Sequence, residues 1–91
     1  MTRSIYRSTD GQADYKFSFE RQSDGEYRAY IESQPSYRGK AEDGHSTHRY
    51  SDGSRKYICF TGTIRSEDQA KAVAAKWADS TQEYIKYGRN F

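Results

Sequence analysis

The stretch Thr47–Phe60, THRYSDGSRKYICF, gathers most of the residue types in this chain that could do chemistry. It holds His48, the single cysteine Cys59 and the cations Arg49, Arg55 and Lys56, with His45 just upstream. Three chemistries suit such a set: metal ligation, a thiol nucleophile with an imidazole base, and anion binding.

The first two are poorly supplied. His45-x-x-His48 suggests a metal pair, but residues three apart on a strand point to opposite faces. A further ligand would have to come from Cys59, Glu42 or Asp43, so neither metal nor cofactor is expected. His45 opposite Cys59 has the types for a nucleophile and base, yet no third group orients the imidazole. A mid-strand cysteine more often packs as a small apolar residue. The chain lacks a phosphate-cradling glycine loop, a G-x-S-x-G elbow and a visible carboxylate pair in an apolar pocket. The reading is therefore non-enzymatic.

Anion or partner binding rests on charge placement. A three-residue loop at Ser51-Asp52-Gly53 sets Arg49 opposite Arg55, Thr47 opposite Tyr57 and His45 opposite Cys59. A one-residue slip sets Arg49 opposite Lys56 instead. Either register opposes two cations, which costs a few tenths of a kcal/mol unless a ligand neutralises them. Ile58 and Phe60 belong to the core in this reading, so Arg49, Arg55, Tyr57 and His45 look outward. Tyr37, Arg38 and Lys40, in the long loop QPSYRGKAEDGH, lie near enough to add to the surface.

These side chains need elements to hold them. All four Asp-Gly steps (Asp10-Gly11, Asp24-Gly25, Asp43-Gly44, Asp52-Gly53) lie between candidate strands or in a polar loop, and Asp-Gly is a strong hairpin signal. At Ser23-Asp24-Gly25 a three-residue loop brings Phe19 opposite Ala29, Phe17 opposite Ile31 and Tyr15 opposite Ser33. The other face then pairs Glu20 with Arg28 and Lys16 with Glu32, so core and charge agree on one register. The same rule at Thr9-Asp10-Gly11 puts Ile5 opposite Tyr15. After Ser66 the period changes. Ser66 and Gln69 form a capping box, and Glu67 and Asp68 suit the first turn. Ala70, Val73, Ala74, Trp77, Thr81, Tyr84 and Ile85 fall on one helical stripe, and Gly88 ends it. Trp77 is expected against the sheet.

The expected architecture is α+β: four to five short antiparallel strands over about 3–62, then one helix over about 66–87 packed on one face, in a single domain spanning 1–91. Nine tyrosines and four phenylalanines replace leucine, which is absent. The open sheet face carries Lys16, Ser18, Glu20, Arg28, Tyr30 and Glu32. A net charge of +2 is too small to indicate nucleic acid by itself. No apolar run approaches a membrane span or a signal-peptide core, so a cytoplasmic chain is expected.

Composition then favours a small binding module. Tyr and Arg are the side chains that interfaces prefer. The expected partner is a protein or nucleoprotein with an acidic surface, met by Arg49, Arg55, Tyr57, Tyr37, Arg38, Lys40, His45 and Tyr30. RNA or single-stranded DNA stacked on Tyr30 and Tyr57 is the alternative. In size and general make-up the chain is similar to small accessory proteins and phage-type inhibitors, without a shared motif. An exposed edge strand would also allow two copies to pair.

Overall fold

Alternating residues in the first third and a 3.6-residue period in the last third build a helix-on-sheet layer pair. The computed structural model describes residues 2–91. Its strands are β1 (Thr2–Arg7), β2 (Asp14–Arg21), β3 (Tyr27–Ser33), β4 (Arg49–Asp52) and β5 (Arg55–Ile58). A one-turn helix α1 (Gly44–Thr47) precedes β4, and α2 (Glu67–Tyr87) closes the chain. The five strands form one antiparallel sheet in the order β1-β2-β3-β5-β4. The α+β expectation is met.

The inner face of the sheet is aromatic and the facing helix is small. Tyr15, Phe17, Phe19, Ala29, Ile58 and Ile64 pack against Ala70, Ala74, Trp77 and Ala78. Alanines at every fourth position of α2 let its backbone approach the large rings, while Trp77 meets Tyr15 and Phe17 edge-on at 6.0 and 6.1 Å. The Trp77 Nε1–H donates to the Thr47 carbonyl at 3.0 Å, which ties the buried α1 end to the core. Tyr15 is wholly buried; its hydroxyl donates to Gln82 Oε1 at 2.8 Å, and burial pushes its pKa well above the ordinary phenol value. Ser66 caps α2 by accepting from Gln69 N–H, and Gly88 ends it in the left-handed region. Gln69 does not complete the reciprocal box: its Oε1 accepts from Arg65 N–H and its Nε2 donates to the Thr63 carbonyl.

Loop lengths decide the registers. At Ser23-Asp24-Gly25 the loop has three residues, closed by Gln22 and Glu26 with Gly25 at φ 87°. Phe17–Ile31, Phe19–Ala29 and Glu20–Arg28 pair as expected. A bulge between Lys16 and Phe17 then shifts the strand, so Lys16 lies opposite Ser33 rather than Glu32. At the first hairpin Ser8 and Ala13 close a loop of four residues. Asp10 holds it open by accepting from Gln12 N–H, and the extra residue brings Tyr6, not Ile5, opposite Tyr15. Ile5 is therefore no core residue; it is 66% exposed.

The second hairpin departs furthest. Asp52 pairs with Arg55, Ser51 with Lys56, Tyr50 with Tyr57 and Arg49 with Ile58. Only Gly53 and Ser54 lie in the turn, with Gly53 at φ 61° in the first central position, where a type II′ turn requires glycine. Arg49 thus opposes neither Arg55 nor Lys56. Thr47 and His45 belong to α1 and face neither Tyr57 nor Cys59. Phe60 lies past the end of β5 and is 40% exposed, whereas Ile58 is buried as expected.

Candidate functional site

The outer sheet face is a ladder of alternating tyrosines and arginines across β3, β5 and β4. Strand periodicity sends Phe17, Phe19, Ala29 and Ile31 inward, so Ser18, Glu20, Arg28 and Tyr30 point outward. The cross-strand pairs Tyr30–Tyr57 and Tyr57–Tyr50 continue the row. Successive ring centroids stand 5.6 Å apart along Tyr30, Tyr57 and Tyr50. The Arg55 guanidinium lies 3.7 Å from the Tyr30 ring centre, and that of Arg28 lies 4.2 Å from Tyr57. Stacking by Arg55 helps explain how Tyr30 is only 3% exposed on a face with no second layer.

The charges of this face are internally matched. Arg55 donates to Glu20 at 2.5 Å and stands 3.6 Å from Glu32. Glu32 also accepts from Ser18 at 2.6 Å. Hydrogen bonding from Arg55 holds the Glu20 carboxyl below its usual range. Arg28 donates to the Tyr30 hydroxyl at 3.1 Å and to Asp52 at 3.3 Å, while Tyr30 donates to Asp52 at 2.8 Å. Burial and the Asp52 hydrogen bond raise the Tyr30 pKa against the opposing effect of Arg28. The cation opposition expected at the hairpin tip does not exist: Arg55 faces Asp52 across the turn and Glu20 across the sheet.

The expected site residues fall into two groups. Arg55, Tyr57 and Tyr30 share the ladder. Arg49 and Tyr37 meet elsewhere, with the guanidinium 5.0 Å from the Tyr37 ring centre. Arg49 donates to Thr47 Oγ1, Gln34 Oε1 and the Glu42 carbonyl, so it ties both ends of the long loop to α1 and β4. Tyr37 is buried against Tyr84 and Ile85 and is no surface contact. Arg38 is exposed at the tip of a tight turn, Lys40 is half-buried, and His45 is exposed on α1. The expected proximity of Tyr37 to Arg49 holds; the expected continuity of both with Arg55 does not.

The ladder also contains Arg28 and Tyr50, which were not among the expected contacts. Arg28 was visible as an outward residue paired with Glu20. Tyr50, 52% exposed, joins the row only because the turn has two residues. Beside it β3 and β5 part after Tyr30–Tyr57, and Tyr27 N–H bonds the Ile64 carbonyl instead. A cleft of about 280 Å³ there is lined by Tyr27, Tyr50, Tyr57, Phe60, Asp24 and Glu26, among others.

Cys59 is half-buried, and its N–H bonds the carbonyl of His48, not an imidazole of His45. Among the described residues no group of three or more His, Cys, Asp or Glu is placed to hold a metal ion. The sequence matches no protein-family model, and no curated protein or solved structure is significantly similar to it.

Proposed function

We propose that this chain is a small non-enzymatic binding module that docks a protein partner on Tyr57 and Tyr50 of the ladder, flanked by Arg28 and Arg55 and backed by the buried ring of Tyr30. One observation carries the reading: Tyr and Arg side chains, the types that dominate interface energetics, are fixed on rigid strands by stacking and ion pairs. Side chains already held in place lose little entropy on docking, and tyrosine offers a large contact area for few rotatable bonds. The neighbouring cleft gives a partner side chain a place to enter. An accessory or inhibitor role is compatible with such a module.

The alternative, RNA or single-stranded DNA, draws support from the same rings but not from the charges. The two guanidiniums of the ladder are matched by Glu20, Glu32 and Asp52, which leaves a slight excess of negative charge where phosphates would lie. The acidic-partner expectation loses its basis on this face for the same reason. A nucleoprotein partner would have to be met through its protein component. No helix among the described residues is long and apolar enough to cross a membrane.

Affinity capture from the source cells with the wild-type chain and with Tyr50→Ala tests the proposal. Tyr50 is exposed, so its truncation spares the core. A partner retained by wild type and by a Lys71→Ala control on α2, but lost with Tyr50→Ala, is the expected result. Equal recovery with all three refutes the ladder as the contact surface. Salt-sensitive binding of labelled single-stranded oligonucleotides, lost with Tyr50→Ala, would favour the alternative.

A further inference from the structure

The sheet has two edges of unequal kind. β4 is four residues long, whereas β1 runs for six and, among the described residues, pairs only with β2. An unpaired strand edge presents backbone donors and acceptors to any chain that can lie beside it. Proteins blunt such edges with shortness, proline, bulges or charged side chains; β1 has only the last, in Arg3 and Arg7, which repel cationic and like-charged strands but not an acidic one, and the bulge lies one strand further in.

The side chains of β1 describe what would fit. Arg3, Ile5 and Arg7 point outward, opposite Ser18, Lys16 and Asp14. Ile5 is the most exposed large apolar residue described. A concavity of about 570 Å³ lies around it, lined by Arg3, Ser4, Ile5, Lys16, Phe17 and Glu32. Arg7 has a partner in Asp14 at 2.9 Å, and Glu32 is drawn toward Arg55. Arg3 and Lys16 form no ion pair with any described residue. The outer face that is neutralised across β3–β5–β4 thus becomes cationic toward β1.

We infer that β1 is a docking edge for an extended segment of a protein partner, added as a sixth strand, that carries acidic side chains either side of an apolar one. Backbone hydrogen bonds supply sequence-independent affinity, and outward positions two residues apart supply selectivity. An apolar side chain set opposite Ile5 covers it, and carboxylates two residues to each side meet Arg3 and Arg7, with Lys16 adjacent. A second copy fits worse. In the antiparallel register that covers Ile5 with the Ile5 of the other copy, each Arg3 meets an Arg7, so cations oppose cations. This inference stands apart from the ladder: it needs neither Tyr50 nor Tyr57.

The probe is a fluorescein-labelled, end-blocked peptide, Thr-Glu-Thr-Val-Thr-Glu-Thr, beside its Lys-for-Glu counterpart and a version with Pro at the central Val. Anisotropy gives affinity, and amide hydrogen exchange by NMR locates the contact. The acidic peptide should protect amides within Thr2–Arg7 and bind about tenfold more tightly than the basic one, the sum of a few reversed cross-strand charge pairs. The proline peptide, which cannot complete the ladder, should bind far more weakly. Arg3→Glu with Lys16→Glu should invert the charge preference, while Tyr50→Ala should leave it unchanged. Equal binding of acidic and basic peptides, or binding without protection of β1, overturns the inference without touching the ladder. Protection that grows with protein concentration in the absence of peptide overturns it in favour of a second copy. The peptide comparison on the unaltered chain decides the matter even if the double variant fails to fold.

Discussion

Asp79 should be the most consequential carboxylate in this chain for stability. It sits on α2 and reaches back to the start of the sheet, accepting from Thr9 N–H at 2.8 Å, Thr9 Oγ1 at 2.8 Å and the Tyr6 hydroxyl at 2.7 Å. Those bonds span 70 to 73 residues of sequence and are direct side-chain links between α2 and the β1–β2 hairpin. Thr9 is exposed, so its two bonds are worth about 0.5 kcal/mol each, and the half-buried Tyr6 bond to a charged acceptor about 1 kcal/mol. Asp79→Ala should therefore cost about 2 kcal/mol, or about 10 °C in Tm for a domain of this size. A cycle with Tyr6→Phe should show about 1 kcal/mol of coupling between the two positions. The pH dependence has a definite sign. Burial pushes the Asp79 carboxyl up, but the hydrogen bonds from Thr9 and Tyr6 outweigh it and leave its pKa below the ordinary value. The folded state thus binds this proton more weakly than the unfolded chain does. The stabilisation is complete above about pH 5 and fades as pH falls through the folded pKa, below about 4. Urea unfolding of wild type and Asp79→Ala across pH 2–7 tests this. The gap between them should be widest near neutrality and narrow toward pH 2. A cost under about 0.5 kcal/mol at pH 7, or a gap that widens in acid, refutes the reasoning.

Two further substitutions separate local effects. The Thr81 hydroxyl is fully buried with no hydrogen-bond partner among the described residues, so Thr81→Val, which keeps the shape, should raise stability by about 1 kcal/mol in thermal or urea unfolding; a loss would show that the hydroxyl is bonded. Arg38 and Gly39 both have positive φ, 54° and 82°, between Tyr37 and Lys40, whose carbonyl and N–H join at 3.1 Å. This is a type I′ pattern that favours asparagine over arginine, so Arg38→Asn should add a few tenths to about 1 kcal/mol, and a lower Tm would assign a structural role to the Arg38 side chain.

What could be read in advance followed the reach of the interactions. α2 was legible because its signals are local: a serine cap, acidic residues in the first turn, one apolar stripe, and a glycine to end it. The β2–β3 hairpin was legible because core pairs and the Glu20–Arg28 pair specified the same register. The Asp-Gly step itself says that a glycine will take positive φ, not how many residues the loop holds. At Gly11 an Asp10 side-chain bond adds one residue; at Gly53 the glycine sits first in a two-residue turn, and the pairing moves by three. Nothing local separates those outcomes. The choice at the second hairpin agrees with Glu20, two strands away, and Glu32, on the neighbouring β3, which receive Arg55. For the same reason the ladder was only half visible: Tyr30, Tyr57 and Arg55 were foreseen, but Tyr50 depended on the turn, and Arg49 was drawn off by a loop whose path has no short-range signature.

The strand order has a consequence for how the molecule opens. β5 is paired with β3 at only two positions, and β4 lies beyond it at the edge. The β4–β5 hairpin is therefore held to the sheet by Ile58 in the core and, on the outer face, by Arg55 on Glu20, by Arg28 and Tyr30 on Asp52, and by the stacked rings. With so short a pairing to β3, this hairpin should open ahead of the rest of the sheet. The ladder is at once a surface and the fastening of that hairpin. A ligand that grips the closed ladder adds its binding free energy to the closing equilibrium, so occupancy would be written into the exchange rates of amides throughout Arg49–Ile58, those it does not touch included.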